Sequence, residues 1–247
     1  MNLRLPVIRG VIHRRILVNY RVEPAVAAKL LEPPFRPRLV NGWAMAGICL
    51  IRLKQIRPRG LPAVAGIASE NAAHRIAVEW EAEGERREGV FIPRRDTNAR
   101  MNVWAGGRLF PGLHHYARFD SFEVNGQVQV RMHNPRDGTR VCVSGRVADR
   151  FPATSVFGSL EEASKFFEQG ALGYSVTENA REFDGLELRS FGWKIEPLTV
   201  EAVESSFFAN EQLFPRGSLE FDCALLMRDI EHEWHARPTL RHQATNP

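Results

Sequence analysis

The chain has 247 residues, 44% hydrophobic and 25% charged, with a formal net charge of +4. This composition is typical of a folded globular protein. No apolar run approaches the ~20 residues of a membrane-spanning helix, and the arginines are interleaved with glutamates, so we expect neither a membrane nor a nucleic acid as a partner.

Cysteine usage indicates a reducing compartment. Cys49, Cys142 and Cys223 are far apart and lie in apolar runs, where a free thiol behaves as a small hydrophobic side chain. No histidine or basic residue lies at a local spacing typical of a cysteine nucleophile, so no catalytic cysteine is predicted. The apolar run near the N-terminus is too short for a secretory signal, and we therefore expect a cytoplasmic protein.

The first half of the chain predicts strands joined by short connections. Alternating or continuous apolar residues indicate strands at 14–22, 42–54, 74–81 and 89–93. A short helix is expected at 25–31, opened by Pro24 and stopped by the proline pair that follows it. Asp96 or Thr97 can cap a second helix that runs to residue 104.

The second half predicts a meander, a helix and further strands. Asn-Gly at 125–126 and Asp-Gly at 137–138 favour two-residue hairpin turns. They separate candidate strands at 117–124, 128–133 and 139–147. Ser159 and Glu162 form a capping box for a helix that ends at Gly170. Strands resume at 172–177, 186–191, 193–203 and 219–227.

The predicted fold class is α+β, mainly antiparallel β with a few short helices. No repeat, low-complexity tract or linker divides the sequence. We therefore predict a single domain over residues 1–247, with a polar, disordered tail at 238–247.

Several short stretches occur in the order of a known family. They are Tyr20-Arg21 with the helix and proline stop that follow, the strand at 42–53, the Arg-Gly-Leu-Pro loop at 59–62, Ser69-Glu70-Asn71, and Asp96 with Gly107-Arg108. Together they resemble the acetoacetate decarboxylase-like superfamily, and more closely its uncharacterised bacterial DUF2071 (YqjF-like) branch. The resemblance implies a closed, cone-shaped antiparallel β-barrel with a flanking sheet, enclosing a small cavity.

One departure from the family concerns its lysines. Decarboxylases of this family use a lysine that forms a Schiff base, beside a second lysine that lowers its pKa. Alignment on Gly107-Arg108 and Gly112 places His115 and Tyr116 at those two positions. Neither side chain can form an iminium, and of the four lysines only Lys54, at a strand end, is worth testing. We therefore predict no Schiff-base decarboxylation and no cofactor.

The catalytic candidates are His115, Glu70 and Tyr116. If residues 114–116 begin a strand, His115 points away from its two neighbours and can face the cavity as a general acid or base. Glu70 matches the family's active-site glutamate and can orient His115 or take a proton. The alternatives are a hydrogen-bonded core histidine and a solvated loop glutamate.

Four residues are candidates for binding a substrate carboxylate. Arg75 has the planar fork that suits a carboxylate, and the pair Arg94-Arg95 with Arg108 flanks a helix start that favours anions. The four candidates are therefore Arg75, Arg94, Arg108 and His114. The alternative is that these arginines are solvated or paired on the surface.

The expected ligand is a small organic carbonyl or carboxylate compound, bound in a barrel cavity. If the protein is an enzyme, we expect a lyase-like or isomerase-like acid–base activity on a small oxo acid. The alternative is a non-catalytic ligand-binding or assembly protein, and a homo-oligomer is compatible with either. His232 and His235 with their neighbouring glutamates supply only part of a zinc ligand set, so no metal site is predicted.

Overall fold

The structure is a computed structural model that describes residues 6–100, 112–179 and 181–241. Its strands are β1 (Ile8–Val22), β2 (Arg36–Pro37), β3 (Leu39–Val40), β4 (Trp43–Pro58), β5 (Ile67–Ala82), β6 (Glu85–Thr97), β7 (His114–Tyr116), β8 (Arg118–Val124), β9 (Gln127–His133), β10 (Arg140–Val147), β11 (Leu172–Val176), β12 (Glu182–Ser190), β13 (Glu196–Ser205) and β14 (Leu219–Arg241). The helices are α1 (Pro24–Ala28) and α2 (Leu160–Gln169), with a 3-10 turn at Ala63–Ala65.

Seven of these strands close into a ring. Their order is β1, β4, β5, β6, β11, β12 and β14, and the ring closes because β14 pairs with both β12 and β1. Six of the neighbouring pairs are antiparallel, and only β6 with β11 is parallel. The predicted closed, mainly antiparallel barrel is confirmed.

The flanking sheet grows out of the long strand β14. Residues 224–226 of β14 pair with β13, and β10, β9 and β8 follow in turn. The Asn-Gly hairpin turn between β8 and β9 has positive φ at both positions, 50° at Asn125 and 77° at Gly126, as the two-residue turn requires. A large apolar core lies between this meander and the outer face of the ring.

Helix α2 packs against side chains that line one end of the barrel lumen. Ser159 caps it as predicted, because its side chain accepts a hydrogen bond from the Glu162 N–H. The buried face of the helix, with Phe166 and Phe167, packs in one cluster with Leu225 and Cys49. The helix therefore covers that end of the barrel.

Two local expectations are corrected. Asp96 lies inside β6, where Arg94 holds its carboxylate, whereas the hydroxyl of Thr97, the other predicted cap, accepts a hydrogen bond from the Ala99 N–H at 3.1 Å. The predicted tail begins too early, because β14 continues to Arg241 by pairing with β12, for example Leu240 with Phe183. Most of the helix predicted to reach residue 104 lies outside the described residues.

A search of the described residues found no helix with the length and apolar character needed to cross a membrane.

Candidate functional site

The barrel lumen contains a cavity of about 130 Å³. Every strand of the ring contributes to its lining, which includes Arg15 (β1), Cys49 (β4), Asn71 and Arg75 (β5), Arg95 (β6), Gly173 (β11), Leu188 (β12) and Trp234 (β14). Alternation along β5 explains which of its polar side chains line the cavity, because successive side chains of a strand point to opposite faces. Ser69, Asn71 and Arg75 line the cavity, whereas Glu70 and His74 do not.

Three arginines share this lumen. Arg15 donates from Nε to the Cys49 Sγ at 3.3 Å. Arg75 donates to the Asn19 Oδ1 at 2.5 Å, and its guanidinium lies 5.0 Å from the centre of the Phe167 ring. Arg95 donates to the Ser175 Oγ at 2.8 Å. All three cations therefore have neutral partners.

No carboxylate of the described residues lies within ion-pair distance of Arg15, Arg75 or Arg95. The segment 101–111, which closely precedes the lining residue His114, has no aspartate or glutamate in its sequence. The Nε of Arg75, a residue only 7% exposed, also has no hydrogen-bond acceptor among the described residues. Because a buried charge without a partner costs several kcal/mol, this arrangement favours an anionic ligand.

Electrostatics in the lumen agree with this geometry. Burial lowers the pKa of Arg75 to about 10, and the neighbouring charge of Arg15 adds to the effect. Burial also lowers the pKa of Arg95 to about 10. In both arginines, interaction with the Cys49 sulfur opposes the shift. A bound carboxylate would offset the desolvation of Arg75 and Arg95 and the repulsion between Arg75 and Arg15.

His114 is the histidine that lines the lumen. Strand β7 pairs in parallel with β6, so that His114 stands beside Arg95 and His115 beside Asp96. The His114 Nδ1 lies 3.0 Å from the carbonyl oxygen of Gly112, which leaves Nε2 as the other ring nitrogen for a ligand. Burial, with a further contribution from Arg95, lowers the pKa of His114 to about 4. The side chain is therefore neutral near pH 7.

Glu70 lies on the opposite face of the barrel wall, between β5 and the meander. It accepts hydrogen bonds from Arg14 at 2.7 Å and from Arg52 at 2.6 Å, and the Ser121 hydroxyl donates to it at 3.1 Å. Arg14 is fully buried and also pairs with Glu123 of β8 at 3.0 Å. This network joins the barrel to the meander and does not line the cavity.

Only some of the other predicted site residues line the lumen. Arg75 and His114 line the lumen together, whereas His115, Tyr116 and Arg94 are not among its lining residues. Arg94 is held by Asp96 at 2.7 Å and by Asp137 at 2.8 Å. Arg108 lies outside the described residues. The structure thus brings together two of the substrate-binding candidates, but it does not bring Glu70 or His115 to them.

No lysine lines the cavity. The sequence has four lysines, Lys29, Lys54, Lys165 and Lys194, and all of them are described and exposed. The lumen therefore contains no lysine that could form a Schiff base.

No group of three or more His, Cys, Asp or Glu side chains in the described part of the chain could hold a metal ion. His235 instead lies 3.0 Å from the Glu233 carboxylate, and His232 is fully buried against the Trp234 ring.

Arg15 was not among the predicted site residues, and Cys49 was interpreted as a small hydrophobic side chain, yet both line the lumen. Arg15 lies on the face of β1 opposite Ile16 and Val18, and in an alternating strand a charged residue opposite apolar ones is expected to face solvent. Only the closure of the ring shows that both faces of β1 are covered. The Arg94-Arg95 pair was noticed, but the pattern could not show that Arg95 is the member that faces the lumen.

Comparisons with known proteins agree with this barrel. The DUF2071 family model, described as an uncharacterized conserved protein (COG2071), matches residues 11–219. No curated protein gives a significant match.

Similar solved structures share the whole architecture. The acetoacetate decarboxylase from Legionella pneumophila has a TM-score of 0.60 at 12% identity, covering 97% of this chain and 90% of that one. An acetoacetate decarboxylase-like enzyme from Sphingomonas wittichii gives 0.58 at 14% identity, covering 96% and 92%. The enduracididine biosynthesis enzyme MppR complexed with pyruvate gives 0.56 at 14% identity, covering 100% and 93%. At such identities the likeness concerns the fold, and with the family match it shows that this chain belongs to the DUF2071 family and has the acetoacetate decarboxylase-like fold.

Proposed function

We propose that this protein binds a small carboxylate in the barrel lumen and does so without a Schiff-base lysine. The observation that carries the proposal is the group of three lumen arginines, Arg15, Arg75 and Arg95, whose contacts are all to neutral groups. A carboxylate can accept two parallel hydrogen bonds from a guanidinium, which makes it the anion that suits this lining.

The volume of the cavity limits the size of the ligand. A cavity of about 150 Å³ holds a benzene-sized molecule of about six non-hydrogen atoms, and this lumen is slightly smaller, at about 130 Å³. A three- or four-carbon oxo acid fits that limit. Pyruvate, which is bound in the MppR structure, has that size and is the probe that we choose.

Acid–base chemistry in the lumen would involve His114. Asp96 also borders the cavity, but its carboxylate is compensated by Arg94 at 2.7 Å. Neutral His114 can accept a proton at Nε2 or hydrogen-bond a ligand hydroxyl. The roles of His115, Glu70 and Tyr116 in catalysis remain predictions from the family resemblance, and so does that of Arg108 in binding.

The test is a calorimetric titration with pyruvate and with its neutral amide. We expect pyruvate to bind and the amide to bind at least about tenfold more weakly, because a hydrogen bond to a charged group contributes about 1.5–3 kcal/mol. Arg95→Gln should weaken pyruvate binding by a similar factor. Arg118→Gln, which removes an exposed arginine of β8, is the matched control and should bind as the wild type does. Equal binding of pyruvate and its amide, or an Arg95→Gln variant with unchanged affinity, would contradict the proposal.

A further inference from the structure

The thiol of Cys49 lies among the lumen arginines. Cys49 is 8% exposed and lines the cavity, and its sulfur accepts a hydrogen bond from Arg15 Nε at 3.3 Å. The sulfur also interacts electrostatically with Arg75 and Arg95, with a sign that favours their charged forms. A thiol that lines a cavity can be reached by a ligand bound there, and its thiolate is the nucleophilic form of cysteine.

A second observation points to a ligand site beside this thiol. Arg75 is more than nine-tenths buried, lines the same cavity, and has an Nε without an acceptor among the described residues. A carboxylate that binds there is confined with Cys49 in a space of about 130 Å³. The thiol is therefore within a ligand's length of the anion-binding groups.

The other two cysteines differ from Cys49. Cys223 is fully buried beside Asp222, and burial together with that carboxylate raises its pKa. Cys142 lies on β10 in the flanking sheet, away from the ring. Neither of them lines the lumen.

We propose that Cys49 is a nucleophile for small electrophilic carboxylates that the lumen arginines capture. This inference rests on the proposed function and adds a covalent step to it. With a 2-oxo acid, the thiolate sulfur attacks the carbonyl carbon and forms an S–C bond. The carbonyl π bond breaks, its electron pair moves to oxygen, and that oxygen takes the proton released by the thiol. The product is a hemithioketal, and the addition is reversible and needs no oxidant or reductant.

Alkylation rates give the first test, with peptide mass spectrometry to follow each cysteine separately. Iodoacetate and iodoacetamide differ mainly in charge, and both form a thioether as iodide leaves. We expect the ratio of the iodoacetate rate to the iodoacetamide rate to be at least about tenfold higher at Cys49 than at Cys142, because a cationic site concentrates the anionic reagent. Equal ratios at the two cysteines, or no reaction at Cys49, would overturn the proposal.

Two variants distinguish attraction of the reagent by the lumen arginines from general accessibility of the Cys49 thiol. Arg95→Gln should reduce the preference of Cys49 for iodoacetate, because one of the three lumen cations is lost, and should leave its reaction with iodoacetamide within about twofold, since the neutral reagent is not attracted by the charge. Arg118→Gln should preserve the preference. If Arg95→Gln also retained the full preference, the lumen arginines would not direct the reagent.

The covalent adduct itself can be observed with pyruvate labelled with carbon-13 at C2. We expect a new signal in the region of tetrahedral carbon that is absent from the Cys49→Ala variant. If pyruvate binds by calorimetry but no such signal forms, the nucleophile proposal fails while the proposed function stands. If pyruvate does not bind at all, both fail.

Discussion

Glu70 shows how much the role of a residue depends on the face of the strand that it occupies. Its carboxylate compensates two arginines, Arg14 at 2.7 Å and Arg52 at 2.6 Å, of which Arg14 is fully buried. The network joins β1, β4 and β5 of the barrel to β8 of the meander. Such a position is typical of a structural ion pair.

Replacement of Glu70 tests this interpretation. Glu70→Gln removes one of the two carboxylates that compensate Arg14 and Arg52, and Glu123 remains as the other. Removing one partner of a buried pair costs about 3 kcal/mol or more, and the remaining carboxylate keeps the expected loss near that lower value. We therefore expect the free energy of unfolding in urea to fall by about that amount, while pyruvate affinity stays within about twofold of the wild type. A stable variant that no longer binds pyruvate would instead support a role for Glu70 in the site.

The lumen arginines show why the sequence alone could not establish which individual residues share the site. Arg75 was predicted as a ligand contact because a planar fork suits a carboxylate. Arg15 was not predicted as a ligand contact. Arg15, Arg75 and Arg95 come from three different strands, and they meet only when the ring closes. The choice between His114 and His115 also needed the register of β7 on β6, which pairs His114 with Arg95.

At the scale of elements, α2 determines how one end of the lumen is covered. Phe167 is 5% exposed, packs against Phe157 and Phe166, and lies beside the Arg75 guanidinium. The helix therefore contributes apolar packing beside the lumen, and Gly170 and Ala171, which directly follow it, line the cavity.

Phe167→Ala should weaken this cover. Truncation of a buried phenylalanine costs about 3–5 kcal/mol, and we expect that loss in the free energy of unfolding measured by urea titration. Phe122→Ala on β8 is the matched control, because Phe122 is 52% exposed and surface substitutions usually change stability by about 0.5 kcal/mol or less. Equal losses in the two variants would show that α2 is not packed as described.

Local signals predicted elements better than their connections. The Asn-Gly turn at 125–126, the capping box at Ser159 and the alternation of residues 219–227 all gave correct elements, since each depends on neighbours in the sequence. The parallel pairing of β6 with β11 joins Phe91 to Tyr174, more than eighty residues apart, and no local pattern encodes it. The continuation of β14 to Arg241 likewise depends on its distant partner β12.

For the whole molecule, two buried histidines predict how stability depends on pH. His74 and His232 are fully buried. Burial, with a contribution from Arg94, lowers the pKa of His74 to about 3, and burial with a contribution from Arg15 lowers that of His232 to about 4. In the unfolded chain both have a pKa near ~6.5, so below that pH the unfolded state binds more protons than the folded state.

The free energy of unfolding should therefore fall as the pH decreases from 7.5 to 5. Each of these histidines contributes a loss of about 2 kcal/mol at pH 5. His74→Phe should reduce the pH dependence, whereas His133→Gln, at an exposed position of β9, should leave it unchanged. The measurement is a set of urea titrations across this range, and a stability that is constant or higher at pH 5 would refute the prediction.

The same closed barrel unites these features, because every ring strand contributes to the lumen. Its arginines, His114 and Cys49 are enclosed together, and no lysine lines it. We therefore expect a small anion to bind in the barrel lumen.

A crystal structure of the protein with pyruvate tests that claim most directly. We predict that the pyruvate carboxylate lies in the lumen, within about 3 Å of guanidinium nitrogens of Arg75 or Arg95. An empty lumen at saturating pyruvate, or pyruvate bound on the outer face beside Glu70 and His115, would contradict it.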